Sequence, residues 1–356
     1  MSEKFNKIAV LGLGKVGALA GELLHAAEFD VTGFDIHDSA ELPFETRSID
    51  VSDGDQINAG LQAFDGVFSA LPYHLNLEVA KAAHNTGIHY FDLTEDVATT
   101  KAIIELSKTS NGLMVPQCGL APGFVGIVGA DLIARFEDCR SCKMRVGALP
   151  QNPTGLMGYS FNWSPEGVVN EYLNDCEVIE DGELKTVSPM EWKEKIYIDG
   201  VELEAFTTSG GLGTMCETYL GTVPNIDYKT LRYPGHMDQM NFFFHELLMR
   251  NRRREAGEIL VTAKPPVKQD IVYIHVSAEG EIDGQLFREE FVRSFRPIEI
   301  GGKHRTAIAW TTSSSAVAVV ELVRAGVLPQ KGYLKQEDIN LDMLAQTTAG
   351  GYLLAN

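Results

Sequence analysis

The chain has 356 residues, 44% of them hydrophobic and 22% charged, the composition of a folded protein with an ample core. That length carries about two domains. A net charge of −19 weighs against nucleic acid or an anionic membrane surface as a partner.

The chain opens on a strand, a turn and a helix that read together. Ile8–Leu11 is a short apolar strand, and Gly12-Leu13-Gly14-Lys15-Val16-Gly17 follows it as a GxGxxG turn into a helix. A second strand then ends in Asp35, 23 residues after Gly12. Gly12 permits the tight turn, Gly14 lets backbone approach a pyrophosphate, and Gly17 lets helix and sheet pack closely. The helix N-terminus offers free N–H groups and a positive dipole end to the phosphates. Asp35 is placed to accept hydrogen bonds from the adenosine ribose. A carboxylate there repels the extra phosphate of NADP, and Ile36 and His37 follow it rather than arginines, so the expected cofactor is NAD. The competing reading is a glycine-rich turn that holds a flavin or a sugar nucleotide.

Strands and helices keep alternating to Gly123, the pattern of a parallel sheet covered on both faces. Thr46–Val51 reads as a third strand, with Asp50 and Val51 directed at the adenine. Gly66–Leu71 is a fourth, and Ala70, Leu71 and Pro72 at its end join the cofactor contacts. A helix over Leu75–Asn85, a strand at Ile88–Leu93, a helix over Val97–Lys108 and a strand at Leu113–Cys118 complete the run. Ligands collect outside the carboxyl ends of such strands. Tyr73, His74, Glu95, Asp96 and Gly119–Gly123 stand there.

Beyond residue 125 the texture changes. A helix over Val125–Phe136 precedes Cys142–Leu149, and then come stretches rich in Tyr, Trp, Thr and Gly: Gly158–Trp163, Glu194–Ile198 and Glu202–Thr208. Ile271–Ser277 and Phe287–Pro297 read as longer antiparallel strands. Trp310–Arg324 is a small-residue helix stopped by Gly326. The expected fold is α/β: a Rossmann domain over 1–124, an α+β substrate and oligomerisation domain over 125–305, and a C-terminal segment, 306–356, returning to the first domain.

Five cysteines (118, 139, 142, 176 and 216) form no framework spacing, and the CxxC at Cys139–Cys142 has no second pair to make a zinc site. No HExxH or comparable spacing occurs, so no metal is expected. The apolar run near the N-terminus is too short for a signal peptide and nothing reaches membrane-spanning length, so the expected location is cytoplasmic. Arg250, Arg252, Arg253 and Arg254 follow the apolar helical stretch Met240–Met249 and would complement its dipole.

The candidate chemistry is hydride transfer, in which the protein positions the substrate and tunes charge. Tyr228–His236 is the densest polar cluster of the second domain. Arg232 offers a two-pronged clamp for a substrate carboxylate, or else a salt bridge between domains or subunits. Thr207–Thr214 is a glycine-rich loop able to present hydroxyls and N–H groups. Glu95 and Asp96 either attract an amine, act as base, or cap the helix Val97–Lys108. His74 is an acid/base by residue type.

These motifs resemble the saccharopine dehydrogenase-like family. Leu71–Asn76 (LPYHLN), Gly87–Asp96 (GIHYFDLTED) and Gly119–Gly123 (GLAPG) carry the likeness in the first domain. Gly147–Pro150 (GALP), Asn162–Val168 (NWSPEGV), Glu204–Leu212 (EAFTTSGGL) and Ile226–His236 (IDYKTLRYPGH) resemble its L-lysine 6-dehydrogenase branch. The resemblance implies an oligomeric NAD enzyme that oxidises the ε-amine of L-lysine to allysine, which cyclises to piperideine-6-carboxylate as ammonia leaves. It brings forward the fingerprint glycines, Asp35 and the blocks around Tyr73, Asp92–Asp96, Thr208–Ser209 and Arg232–His236. The amine must be neutral before hydride leaves, so a base is required; Tyr73, His74, Asp96 and His236 are the candidates. Arg232 with Thr208 or Ser209 would hold the carboxylate, and Glu95 the α-amine. The alternatives are a saccharopine dehydrogenase or reductase and a non-catalytic NAD-binding sensor.

Overall fold

A computed structural model describes residues 5–37, 41–51 and 53–355. It divides into two compact units, one comprising residues 1–127 with 309–356 and the other residues 128–308.

In the first unit β1 (Lys7–Leu11), β2 (Asp30–Asp35), β3 (Glu45–Ser48), β4 (Gly66–Ser69), β5 (His89–Asp92) and β6 (Leu113–Val115) are joined by a two-residue strand, Gly332–Tyr333. The sheet runs 3-2-1-4-5-6 with Gly332–Tyr333 beyond β6, every pairing parallel. This is the doubly wound order of a Rossmann fold. Helices α1 (Lys15–Ala26), α2 (Gly54–Leu61), α3 (Tyr73–Thr86) and α4 (Val97–Ser107) connect its strands. The central strands β1 (from Ile8) and β4 are buried on both faces and are apolar but for Ser69, whereas edge strand β3 (ETRS) is exposed throughout. The third strand therefore stops at Ser48 rather than Val51; Ile49 and Val51 are buried beyond its end. The helix Ala307–Ala325 lies against the fold through small residues. Its Ser313 hydroxyl donates to the Val16 carbonyl at 2.9 Å, and Arg324 stacks over Phe29 and donates to the Ala27 carbonyl at 2.6 Å.

After α5 (Phe124–Ile133), the second unit is built on β7 (Asp138–Pro150), α6 (Pro165–Leu173), β8 (Cys176–Glu180), β9 (Glu183–Val187), β10 (Glu194–Ile198) and β11 (Val201–Thr207). There follow α7 (Met215–Tyr219), β12 (Ile226–Arg232), α8 (His236–Asn241), α9 (Arg253–Ala263), β13 (Asp270–Ile282) and β14 (Gln285–Phe295). Its sheet runs 10-11-12-7-13-14, with β8 pairing β12 and β9. Asp-Gly pairs make three of its hairpins: Asp181-Gly182, Asp199-Gly200 and Asp283-Gly284 all have positive φ at both residues, the requirement of a two-residue type I′ turn. Gly158–Trp163 forms no strand, although Tyr159 and Phe161 are buried in the core beside Val168, Tyr172, Phe206 and Phe244.

The arginine run corrects an expectation. Met240–Met249 is broken into the end of α8, a π-turn over Phe242–Glu246 and a left-handed Leu248 (φ 57°), and Arg250 lies in a separate short 3₁₀ turn, Met249–Asn251, rather than at the end of an α-helix. Arg253 and Arg254 instead open α9, where Arg253 donates to the side-chain oxygens of Asn170 and Asn174 at 2.9 and 2.7 Å, and Arg254 pairs with Glu258 at 3.1 Å.

Strand β12 carries charge on alternating positions. Lys229 lies opposite Arg145 of β7. Arg145 is bonded to Glu194 and pairs with Asp227 at 2.6 Å, while Lys229 pairs with Glu194 at 2.9 Å. Two cations and two anions close on one another there. Tyr228, Thr230 and Arg232 point the other way, by the two-residue period of a strand.

Candidate active site

The glycine turn of the first unit fits a dinucleotide. A Cβ on Gly17 would fall 1.9 Å from the Gly12 carbonyl oxygen, and one on Gly12 (φ +86°) would meet the Ala70 carbonyl at 3.0 Å. The turn, α1 and the end of β4 are thus packed as closely as backbone permits. Gly14 differs: a Cβ there meets nothing within 4 Å, and as N-cap of α1 it makes no side-chain cap bond. The first turn of α1 therefore presents uncapped N–H groups to open space, the arrangement a pyrophosphate requires. Asp35 closes the turn from the next strand. Its Oδ2 accepts from Leu13 N at 2.7 Å and its Oδ1 from His37 N at 3.0 Å. Each oxygen keeps acceptor capacity for a ribose hydroxyl. Lys15 is exposed, Val16 half-buried, Asp50 exposed and Val51 buried; Ala70 and Leu71 are half-buried, and Pro72 is the exposed N-cap of α3.

At the carboxyl ends of β4–β6 a buried network centres on Asp92. Tyr90 donates to its Oδ2 at 2.6 Å, while Thr94 N and Gln117 N reach its Oδ1 at 3.0 and 2.9 Å. Burial pushes Asp92 up to about 6 against the pull of these bonds. Its neighbour Glu95 is pushed up to about 7, by burial first and then by the charges of Asp92 and Asp96. Asp96 is the N-cap of α4, its Oδ1 accepting from Thr99 N at 2.7 Å. Of the roles open to Asp96 the structure shows the cap, which ties one of its two oxygens to the helix start. Tyr73 and His74 open α3 with rings edge-on at 5.8 Å, Tyr73 half-buried and His74 exposed.

In the second unit α6 and β12 bring together residues that lie far apart in sequence. Ser164 caps α6 by accepting from Gly167 N at 3.0 Å, with Pro165 at its first position. The last turn of α6 carries Glu171 and Tyr172. Arg232, fully buried, donates through Nε to the Tyr172 hydroxyl at 2.7 Å, and through Nη1 to Thr230 Oγ1 and to the Leu231 carbonyl at 2.8 Å. The Tyr159 ring lies 4.7 Å beneath the guanidinium carbon. Nη2 is left with a 3.7 Å approach to Glu171, beyond hydrogen-bonding distance.

His236 is also buried. Its Nδ1 lies 2.9 Å from the Met157 carbonyl and its Nε2 3.0 Å from the Tyr172 hydroxyl. Burial, then the charge of Arg232, push it down to about 3. It is neutral with both nitrogens engaged, so it supports Tyr172 and Arg232 and is unsuited to the role of base. Ser209 donates to the Asp175 carbonyl at 2.9 Å, whereas Thr208 Oγ1 is buried with no hydrogen-bond partner among the described residues. Of the residues expected to hold substrate, Arg232, Thr208 and Ser209 thus stand in the second unit and Glu95 in the first. Sequence reasoning missed Glu171, Tyr172, Tyr159 and Thr230. The Ser164-Pro165 start of α6 was a legible helix signal, but nothing local ties that helix to Arg232.

The chain matches the profile of the saccharopine dehydrogenase NADP binding domain over residues 8–114 and that of the saccharopine dehydrogenase C-terminal domain over residues 119–348. It belongs to the saccharopine dehydrogenase family. Among curated relatives, the mitochondrial alpha-aminoadipic semialdehyde synthase of Rattus norvegicus is 25% identical over 271 residues, which are 68% of this chain and 28% of that enzyme. The saccharopine dehydrogenase [NADP(+), L-glutamate-forming] of Pyricularia oryzae is 23% identical over 256 residues, 65% of this chain and 56% of that one. The chain therefore spans only part of the length of these relatives. Among solved structures, the apo saccharopine dehydrogenase (L-Glu forming) of Saccharomyces cerevisiae superposes over 95% of both chains with a TM-score of 0.71 at 16% identity. That likeness establishes the saccharopine dehydrogenase fold.

Proposed function

We propose that this chain is an NAD-dependent amino acid dehydrogenase that oxidatively removes the ε-amino group of L-lysine, giving allysine and ammonia. The observation that carries the amino acid reading is the buried Arg232, with three of its five N–H groups engaged inside the protein and Nη2 left over. With Nε and Nη1 engaged, the two-pronged grip expected from the sequence is not available, and the buried guanidinium offers a carboxylate Nη2 alone, as a charged single-nitrogen contact.

The first unit carries the dinucleotide elements. Backbone at Gly12–Gly17 holds the pyrophosphate, Asp35 the ribose, Asp50 and Val51 the adenine side, and Ala70–Pro72 the opposite end. When bound, the dinucleotide accepts the hydride from the carbon bearing the amine. Glu95 is the base: a carboxylate near neutrality takes the ammonium proton at mildly alkaline pH and can activate the water that adds to the imine. The water oxygen becomes the aldehyde oxygen, and nitrogen departs as ammonia. Tyr73 and His74 flank the same strand ends.

Asp35 supports NAD over NADP, while the family's first domain is described by its NADP binding. The second reading, saccharopine oxidation, draws on the names of the curated relatives. Initial rates with lysine and with saccharopine, each with NAD and NADP, separate these readings. Lysine-dependent reduction of NAD is expected; turnover of saccharopine alone overturns the substrate. Tight dinucleotide binding with no turnover on either would leave a sensor.

A further inference from the structure

We infer that Asp92 is a positioning residue for the reaction: its carboxylate ties the segment that carries Glu95 to the bend after β6 and holds both in one arrangement. This rests on the reading of Glu95 as the base, and it concerns how that base is held.

Asp92 ends β5 and is fully buried. A buried carboxylate is costly unless its oxygens are bonded, and here the bonds go to separate segments. Thr94, whose N donates at 3.0 Å, is the residue before Glu95, and Gln117, whose N donates at 2.9 Å, follows β6. Both reach Oδ1, so one oxygen joins two loops. The Asp92 carbonyl adds another tie, accepting from Cys118 N at 2.8 Å. Gln117 is left-handed (φ 64°), a conformation that persists outside glycine only where the surroundings hold it. Its side-chain Nε2 donates to Thr100 Oγ1 of α4 at 3.1 Å. On the far side of Glu95, Asp96 N donates to Thr94 Oγ1 at 3.2 Å while the Asp96 side chain caps α4. Glu95 is thus held between two anchored neighbours.

The other oxygen extends the network. Tyr90 lies 2.6 Å from Oδ2 and 3.2 Å from the Asn76 carbonyl; a phenol has one hydrogen, and the shorter contact to the charged partner takes it. Asn76 belongs to α3, whose first turn carries Tyr73 and His74, and its Oδ1 accepts from Ser69 Oγ of β4 at 2.7 Å. Buried polar contacts therefore run from the end of β4 through α3 to the segments after β5 and β6. An ionised carboxylate is acceptor-only, and the three groups bonded to the Asp92 oxygens all donate.

Two substitutions separate the tie from its charge. Asp92→Asn keeps an oxygen for Thr94 N and Gln117 N, and its amide nitrogen can donate to Tyr90, freeing the phenol hydrogen for the Asn76 carbonyl. Asp92→Ala removes the tie altogether. The titratable groups that face Asp92 are Tyr90, Glu95 and Cys118, and Glu95 also faces Asp96.

Steady-state kinetics, dinucleotide affinity and amide hydrogen exchange are measured on the full chain. Asp92→Ala is expected to lower kcat about 100-fold, the cost of a reacting group displaced by about 1 Å. KM and dinucleotide affinity should change little, and the Thr94 and Gln117 amides should exchange faster. Asp92→Asn is expected to recover most of kcat and to move the rise of kcat/KM to lower pH, because a negative charge beside Glu95 has gone. If Asp92→Ala does not fold, Asp92→Asn decides, and an unmoved rise overturns the inference. A loss of kcat matched by an equal loss of dinucleotide affinity in Asp92→Ala overturns it too. Faster exchange with wild-type kcat keeps the tie and discards Glu95 as the base; lower kcat with unchanged exchange does the reverse.

Discussion

The Tyr172 hydroxyl and His236 Nε2 lie 3.0 Å apart, and the direction of their hydrogen bond is fixed. His236 Nδ1 faces the Met157 carbonyl, which only accepts, so Nδ1 carries the proton and Nε2 is the acceptor. Tyr172 therefore donates to His236 and accepts from Arg232 Nε. The chain of bonds runs one way, from guanidinium to phenol to imidazole to backbone. Its effect is to lock the guanidinium plane and leave Nη2 as the nitrogen with donors to spare.

Arg232→Ala should raise KM for the amino acid at least about 100-fold, since it removes a charged anchor and leaves Glu171 buried beside it. Arg232→Lys should not rescue, because an ammonium cannot serve Tyr172, Thr230 and a ligand together. Tyr172→Phe should raise KM by about 10-fold with kcat within a few-fold. Steady-state kinetics check all three, and an unchanged KM in Arg232→Ala removes the clamp.

His236 gives the fold an acid-sensitive component. Its folded value, about 3, lies below the ordinary 6.5, so between those values the unfolded chain binds a proton that the folded chain does not. Stability is lost as pH falls below about 6.5, by about 1.4 kcal/mol per pH unit. His236→Gln keeps an acceptor for Tyr172 and lacks this titration. Denaturant unfolding at pH 7 and pH 5 should show the wild type losing more stability than the variant; equal losses contradict the assignment.

The two fingerprint glycines should separate folding from binding. Gly17→Ala drives a methyl into the Gly12 carbonyl at 1.9 Å and should cost about 3 kcal/mol or more, read as a fall in Tm. Gly14→Ala meets nothing within 4 Å and should cost only the roughly 0.5–1 kcal/mol of a poorer N-cap, a far smaller fall in Tm, while weakening dinucleotide binding about 10-fold or more. Equal effects of the two on Tm would show that the turn is not packed as described.

How much of this was legible in the sequence follows from how local each signal is. The fingerprint, Asp35 and the strand order after it are encoded within short stretches, because turn, helix start and buried strand each demand particular residues in place. The family resemblance was likewise carried by contiguous motifs. Strand β12 was hard to read: in Ile226-Asp-Tyr-Lys-Thr-Leu-Arg232 both faces are buried, one over Arg145 and Glu194 and the other over Tyr172, and each carries charge, so neither reads as the apolar face of a strand. Glu171 and Tyr172 meet Arg232 from some 60 residues away, and their own helix reads only as a capped amphipathic turn. The Asp-Gly pairs of the three hairpins are a local signal of the same kind. His236 is a base by residue type; the burial that decides against it is a property of the folded chain, as is the cap that ties one oxygen of Asp96 to α4.

The rate should follow the ionisation of Glu95. With its carboxyl pushed up to about 7, kcat/KM is expected to rise with pH through that value, because the base works only when deprotonated. Glu95→Gln should lower kcat by about 100-fold or more and abolish that limb. A profile unchanged in Glu95→Gln would move the base to Tyr73 or His74.

The most direct test follows the nitrogen. Lysine carrying heavy nitrogen at either the ε- or the α-position is incubated with the enzyme and NAD, and the released ammonia is analysed by mass spectrometry. Heavy ammonia is expected from the ε-labelled substrate, with a cyclic imine product that retains the α-label. Heavy ammonia from the α-labelled substrate, or none from either, would contradict removal of the ε-amine.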